Sequence, residues 1–171
     1  MLEHILITLD GSELAELALP YAKQLVKPGG RITLLTVLDI QPERIYPMYD
    51  MAVSLPIYSE DNMRETEDAG RAYLKRIAEQ VRGMTDDVQV NIVCIIGEAA
   101  TVIVDQAGML DVDAVLMSTH GRSGLNRWIF GSVTQKVLTM LPCPVFVIPG
   151  RQAQKEETPD MQPGNLATAG T

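Results

Sequence analysis

Cysteine is scarce in this chain of 171 residues: Cys94 lies inside an apolar run, Cys143 lies between two prolines, and there is no CxxC pair. That excludes a disulfide framework and a thiolate metal cluster, and both read as small buried hydrophobes of a reducing, cytoplasmic compartment. Histidine is as scarce, with only His4 and His120; His4 is expected ahead of the first strand, at the end opposite His120, so the two cannot share a metal and no metal-ligating residues are assigned. A long apolar run is also missing. Glu3 and Asp10 bracket the first one, which fits neither a signal peptide nor a membrane span. Basic residues are outnumbered, 14 Lys and Arg against 22 Asp and Glu, for a net charge of −8 and a pI of about 4.7. A whole-surface attraction to nucleic acid or an anionic membrane is therefore not expected, although a local basic patch is allowed.

What is present is an ordinary globular composition, 46% hydrophobic and 21% charged, at a length that buries one core well. Ile5 to Leu9 is an apolar run closed by Asp10-Gly11-Ser12, and Leu14, Leu17, Ala18, Tyr21 and Leu25 then recur at helical spacing. Pro20 should bend that helix or loosen a turn, and Pro28-Gly29-Gly30 should end the segment before a second strand, Ile32 to Leu38. Residues 39–60 hold no period and carry Pro42, Pro47 and Pro56; they read as a long connection or lid. Met63, Gly70, Tyr73, Leu74, Ile77, Ala78 and Val81 mark one face of a long helix, followed by a strand over Val88 to Ile96. A helix over Glu98 to Met109, a strand over Ala114 to Met117, a helix over Ser132 to Leu141 and an edge strand over Pro144 to Ile148 complete the pattern. Residues 150–171 show no apolar period and read as a flexible tail after a domain of residues 1–149.

Strands alternating with helices predict an α/β fold: a single doubly wound five-stranded parallel sheet with right-handed crossovers. Ligands of such sheets bind beyond the carboxyl ends of the strands, where the winding reverses. The loop there after the fourth strand reads Ser118-Thr119-His120-Gly121-Arg122-Ser123-Gly124, and Gly131-Ser132 opens the next helix. Glycines let a backbone approach phosphate closely, and a helix start offers free N–H groups. From Ala114 to Lys155 there are five basic residues (Arg122, Arg127, Lys136, Arg151, Lys155) and no acidic ones. The segregation favours an anion site over a plain glycine-containing βα loop. The motif is neither GxxxxGK[S/T], nor a GxGxxG turn after the first strand, nor a GxSxG nucleophile elbow.

Gly121, nine residues and Gly131-Ser132 stand in register with GxxGx9G[S/T], and the chain resembles the universal stress protein family in this signature. The likeness extends over residues 1–149 through Asp10, Val37-Leu38-Asp39, GSVTQKVL and PVFVIP; Ser118 stands where the signature has its first glycine. The resemblance implies a Rossmann-like sheet of the adenine nucleotide α-hydrolase type, strand order 3-2-1-4-5, binding ATP or another adenine nucleotide with Mg²⁺ carried on the phosphates. Carried over by position, Thr8, Leu9, Asp10 and Val37 hold the adenosine end. Met117, Ser118, His120, Gly121 and Arg122 line the middle, and Gly131, Ser132, Val133 and Thr134 receive the phosphates. It also implies a homodimer through Val145 to Ile148, and an apolar sheet edge needs covering in any case.

Plainer roles stay open: Asp10 as a turn former or helix cap, His120 as a loop hydrogen-bonder, and Trp128, Ile129 and Phe130 packing under the loop rather than facing a partner. No catalytic residue is assigned. The loop shows no positioned general base, so the expectation is a stress-response switch or sensor with at most slow ATP hydrolysis. The competing expectation is a homodimeric interaction protein of the same fold that binds no nucleotide. An adenylating enzyme ranks lowest, because ITLDGSELA lacks the expected first-strand signature.

Overall fold

The computed structural model describes residues 1–38, 60–85, 87–119 and 131–149. The sequence-predicted lid over residues 39–60, apart from Glu60, which is helical, the loop with His120, Gly121 and Arg122, the Trp128-Ile129-Phe130 run and the tail after Pro149 lie outside those residues.

Strand β1 (Leu2–Thr8) is the middle of the sheet. Its Ile5, Leu6 and Ile7 are all fully buried, because a central parallel strand has helices over both faces. Gly11 takes φ +81°, where a side chain would strain, and turns the chain into α1 (Glu13–Glu16), capped by the Ser12 hydroxyl on Ala15 N at 3.2 Å. Pro20 loosens the expected helix into two, since proline lacks an N–H and suits a first turn: α2 (Leu19–Leu25) starts afresh with Pro20 in that turn.

Strand β2 (Val26–Leu38) corrects the sequence reading. Pro28-Gly29-Gly30 lies inside the strand instead of ending the segment before it. Pairing jumps from Leu2↔Val26 to His4↔Arg31, so the extra residues are absorbed as a bulge. Gly29 at φ +73° donates its N–H to Asp87 O at 2.7 Å, and a Cβ on Gly30 would come within 2.8 Å of the Glu3 carbonyl.

Helix α3 (Glu60–Met84) buries Gly70, Leu74, Ile77, Ala78 and Val81, as its apolar spacing predicts. Strand β3 (Gln89–Ile96), helix α4 (Ala99–Met109), strand β4 (Ala114–Thr119), helix α5 (Ser132–Met140) and strand β5 (Val145–Pro149) follow. All strand pairs are parallel and the order is β3-β2-β1-β4-β5, a doubly wound, Rossmann-like sheet. Its two faces carry separate cores. One packs Ile5, Ile7, Leu34, Leu74 and Ile77 with α2 and α3, the other Leu6, Leu35, Ile103, Val115 and Val137 with α4 and α5.

His4 is a second correction. It is the third residue of β1 rather than a residue before it, buried, with Nε2 2.8 Å from Thr33 Oγ1 on β2. Burial, reinforced by the Arg31 charge, holds its pKa below the ordinary 6.5. Cys94 and Cys143 are free, half-buried thiols that pack against the two cores.

Candidate functional site

The winding reverses between β1 and β4, because β2 and β3 are added on one side of β1 and β4 and β5 on the other. Beyond the carboxyl ends of these strands lies a cavity of about 310 Å³, within the range of small-molecule sites. Each wall follows from local structure. Leu9 N donates to Leu35 O at 2.8 Å, so pairing of β1 with β2 continues past the strand and delivers Thr8, Leu9 and Asp10 to one wall. Leu35 and Val37 are two apart on β2 and so face the same way. Ala99 and Ile103 are four apart on α4, Met117 and Ser118 end β4, and Gly131, Ser132, Val133 and Thr134 form the first turn of α5.

The helix starts differ in how their N–H groups are satisfied. Ser12 caps α1, and Glu98 caps α4 by accepting from Thr101 N at 2.9 Å. No side-chain hydrogen bond caps α5, whose N-cap is Gly131. Among the described residues no side chain takes up its first N–H groups, and the positive end of the helix dipole lies behind them. Gly131 has φ −62°, and no described atom lies within 4 Å of where its Cβ would be. Neither the backbone angle nor the packing of the described residues demands glycine there.

The polar groups of the site have defined partners. Asp10 Oδ1 accepts from Ser12 N at 3.0 Å and from Ser12 Oγ at 2.6 Å, so Asp10 does form the turn, while also lining the cavity. At the rim, Glu98 Oε1 meets Lys136 Nζ at 3.1 Å, while its Oε2 accepts from Thr101 Oγ1 at 2.6 Å. The Thr101 hydroxyl and N–H, then the Lys136 ammonium, hold the Glu98 carboxyl down to about 2. Among the described residues no three His, Cys, Asp or Glu side chains converge as a metal site. Nor is any helix among them long and apolar enough to cross a membrane.

A sequence profile of the universal stress protein family matches residues 1–149. The chain belongs to that family. Universal stress protein Sll1388 of Synechocystis is 29% identical over 149 residues, 84% of this chain and 96% of its own. A universal stress protein solved in complex with cAMP superposes with a TM-score of 0.61 at 13% identity, over 88% of this chain and 98% of that one. A universal stress protein family protein of Arabidopsis thaliana, solved with AMP bound, gives 0.58 at 17% identity, over 91% and 96%.

In this universal stress protein, the residues that the sequence brings forward as candidates converge wherever they are described. Thr8, Leu9, Asp10, Val37, Met117, Ser118, Gly131, Ser132, Val133 and Thr134 all line the one cavity; His120, Gly121 and Arg122 fall outside the described residues. The sequence reading missed Ala15, Leu35, Ala99 and Ile103. Strand alternation from Val37 back to Leu35 was a usable signal for one of them. Ala15, Ala99 and Ile103 are ordinary apolar helix residues, distinguished only by where the fold brings them.

Proposed function

We propose that this universal stress protein binds an adenine nucleotide, ATP carrying Mg²⁺ on its phosphates, and acts as a stress-response switch or sensor. The observation that carries the reading is the start of α5, with no side-chain cap and no described atom against Gly131, on the wall of a cavity of about 310 Å³. The adenosine end sits against Thr8, Leu9, Asp10 and Val37, whose apolar and carboxylate groups suit a base and a ribose. Met117 and Ser118 line the middle with His120, Gly121 and Arg122, and Gly131 to Thr134 take the phosphates. Relatives solved with AMP and cAMP support the adenine-nucleotide class. Occupancy stabilises the bound form by mass action, so the ligand reports itself through the state of the domain.

The molecule acts as a homodimer through Val145 to Ile148. Supporting this, β5 is a sheet edge, Phe146 on it is 37% exposed, and Val145, Val147 and Ile148 are only partly covered. The free thiols Cys94 and Cys143 are consistent with the cytoplasm.

Calorimetric titration of MgATP into nucleotide-stripped wild type and Gly131→Val tests the reading. Valine adopts the Gly131 backbone angles without strain, so the variant folds. Binding to wild type that weakens about a hundredfold in the variant is expected, because two methyl groups then stand where the phosphates approach. Folded wild type that binds no adenine nucleotide overturns it. Sedimentation of the same wild-type sample should give a dimer, and a monomer overturns the β5 interface.

A further inference from the structure

The ion pair joins the N-cap of α4 to Lys136 on the second turn of α5. Glu98 immediately precedes Ala99 of the lining, and Lys136 stands four residues after Ser132, on the same face of α5. Helical side chains lean toward the N-terminus, so the Lys136 side chain leaves its helix on the side of the first turn, and its ammonium rests on Glu98 at 3.1 Å. Among the described residues of α4, β4, α5 and β5, Lys136 is the only lysine or arginine.

The two carboxylate oxygens of Glu98 have different duties. Oε2 is committed to Thr101 N and Oγ1, whereas among the described residues Oε1 meets only Lys136. The pair is 59% and 51% exposed at its two side chains, and such pairs are weak in water. Losing Lys136 leaves the cap of α4 intact. The ammonium is therefore cheap to detach from Glu98. Lys136 is absent from the lining itself, so only a ligand that extends beyond that lining can meet it.

We infer that Lys136 reads the length of the phosphate chain, leaving Glu98 for the terminal phosphate of a nucleoside di- or triphosphate and staying with Glu98 when a monophosphate is bound. The inference rests on the nucleotide site proposed above and adds its selectivity. An ammonium–phosphate contact is a charge-assisted hydrogen bond, and losing one weakens binding about tenfold.

The test is calorimetry of ATP and AMP, each with excess Mg²⁺, on wild type, Lys136→Gln and Lys136→Arg. Lys136→Gln should bind ATP about tenfold more weakly with AMP within twofold of wild type, and Lys136→Arg should restore the preference. Both substitutions lie at an exposed position and leave the fold unchanged. Equal losses of ATP and AMP would mark the pair as a brace and overturn the inference, as would no loss of either. A wild type that binds AMP and ATP alike refutes the selectivity and leaves the nucleotide site standing. A wild type that binds neither overturns both.

Discussion

The two ends of the sheet are built from similar strands and treat their polar groups in opposite ways. At the amino ends, His4 Nε2 meets Thr33 Oγ1 at 2.8 Å, and Asp113 Oδ2 accepts from Glu3 N at 2.6 Å and His4 N at 2.9 Å. Asp113 N in turn donates to His4 O at 2.9 Å. Strand is tied to strand by the protein's own groups. At the carboxyl ends of β1, β2 and β4 the chain leaves a cavity and an uncapped helix instead. Ties between strands gather at one end, and the cavity opens at the other. An unsatisfied helix start is costly only where nothing arrives to satisfy it.

The separation can be broken most directly at the closed end. Thr33→Val keeps the side-chain shape and leaves Nε2 of the buried His4 without its partner, which should cost about 1–3 kcal/mol of unfolding free energy. MgATP affinity of the folded variant should match wild type. A Kd shifted more than about threefold in the same titration would mean that the ends are coupled, and the comparison would fail.

A smaller effect comes from protonating the same histidine. Burial holds the folded His4 pKa below 6.5, so the unfolded chain binds the extra proton first as pH falls. Stability is then fully present above pH 6.5 and declines below it. The Glu98 carboxylate, held to about 2 from an ordinary 4.5, adds its own loss only below pH 4.5. Among the described residues the slope of urea-unfolding free energy against pH between 6.5 and about 5.5 therefore belongs to His4, and His4→Gln should flatten it. Equal slopes in both proteins would show that the buried ring is not the titrating group.

The fold was legible because each strand is a short apolar run with punctuation and each helix an apolar stripe. Pro20 announced the break between α1 and α2, and Gly70 with Leu74, Ile77 and Val81 announced the face of α3. Pro28-Gly29-Gly30 misled, since glycines that end one strand pattern also permit a bulge within another, and only the pairing of Leu2 and His4 with β2 distinguishes them. His4 misled for a related reason: a polar residue near a terminus reads as lying outside the strand until Thr33 is seen to satisfy it. At the site, Gly131-Ser132 and Asp10 carried chemistry visible in one dimension. Ala99 and Ile103 did not, because an apolar residue on a helix lines a cavity or a core according to what stands opposite. The rim pair was hidden too, since Glu98 and Lys136 are 38 residues apart and meet only after α4 and α5 have packed.

The smallest expected effect tests how finely the open end is tuned. Ser118 replaces the first glycine of the family signature and lines the cavity at the end of β4, where its Cα pairs with that of Ile148. Among the described residues positive φ is confined to Asp111, Gly11 and Gly29, so the backbone does not ask for glycine at 118. Any need for glycine there would come from the ligand. The serine side chain takes some room from the nucleotide and returns a hydroxyl donor, a net hydrogen bond being worth about 0.5–1.5 kcal/mol. These contributions oppose each other. Ser118→Gly should therefore change MgATP affinity by less than about threefold, while losing about 0.5–1 kcal/mol of stability to backbone entropy. A gain above tenfold would mean that the serine crowds the phosphates, and a loss of that size would make its hydroxyl a principal contact. Either outcome would extend the ligand-determining surface from the start of α5 back onto the sheet itself.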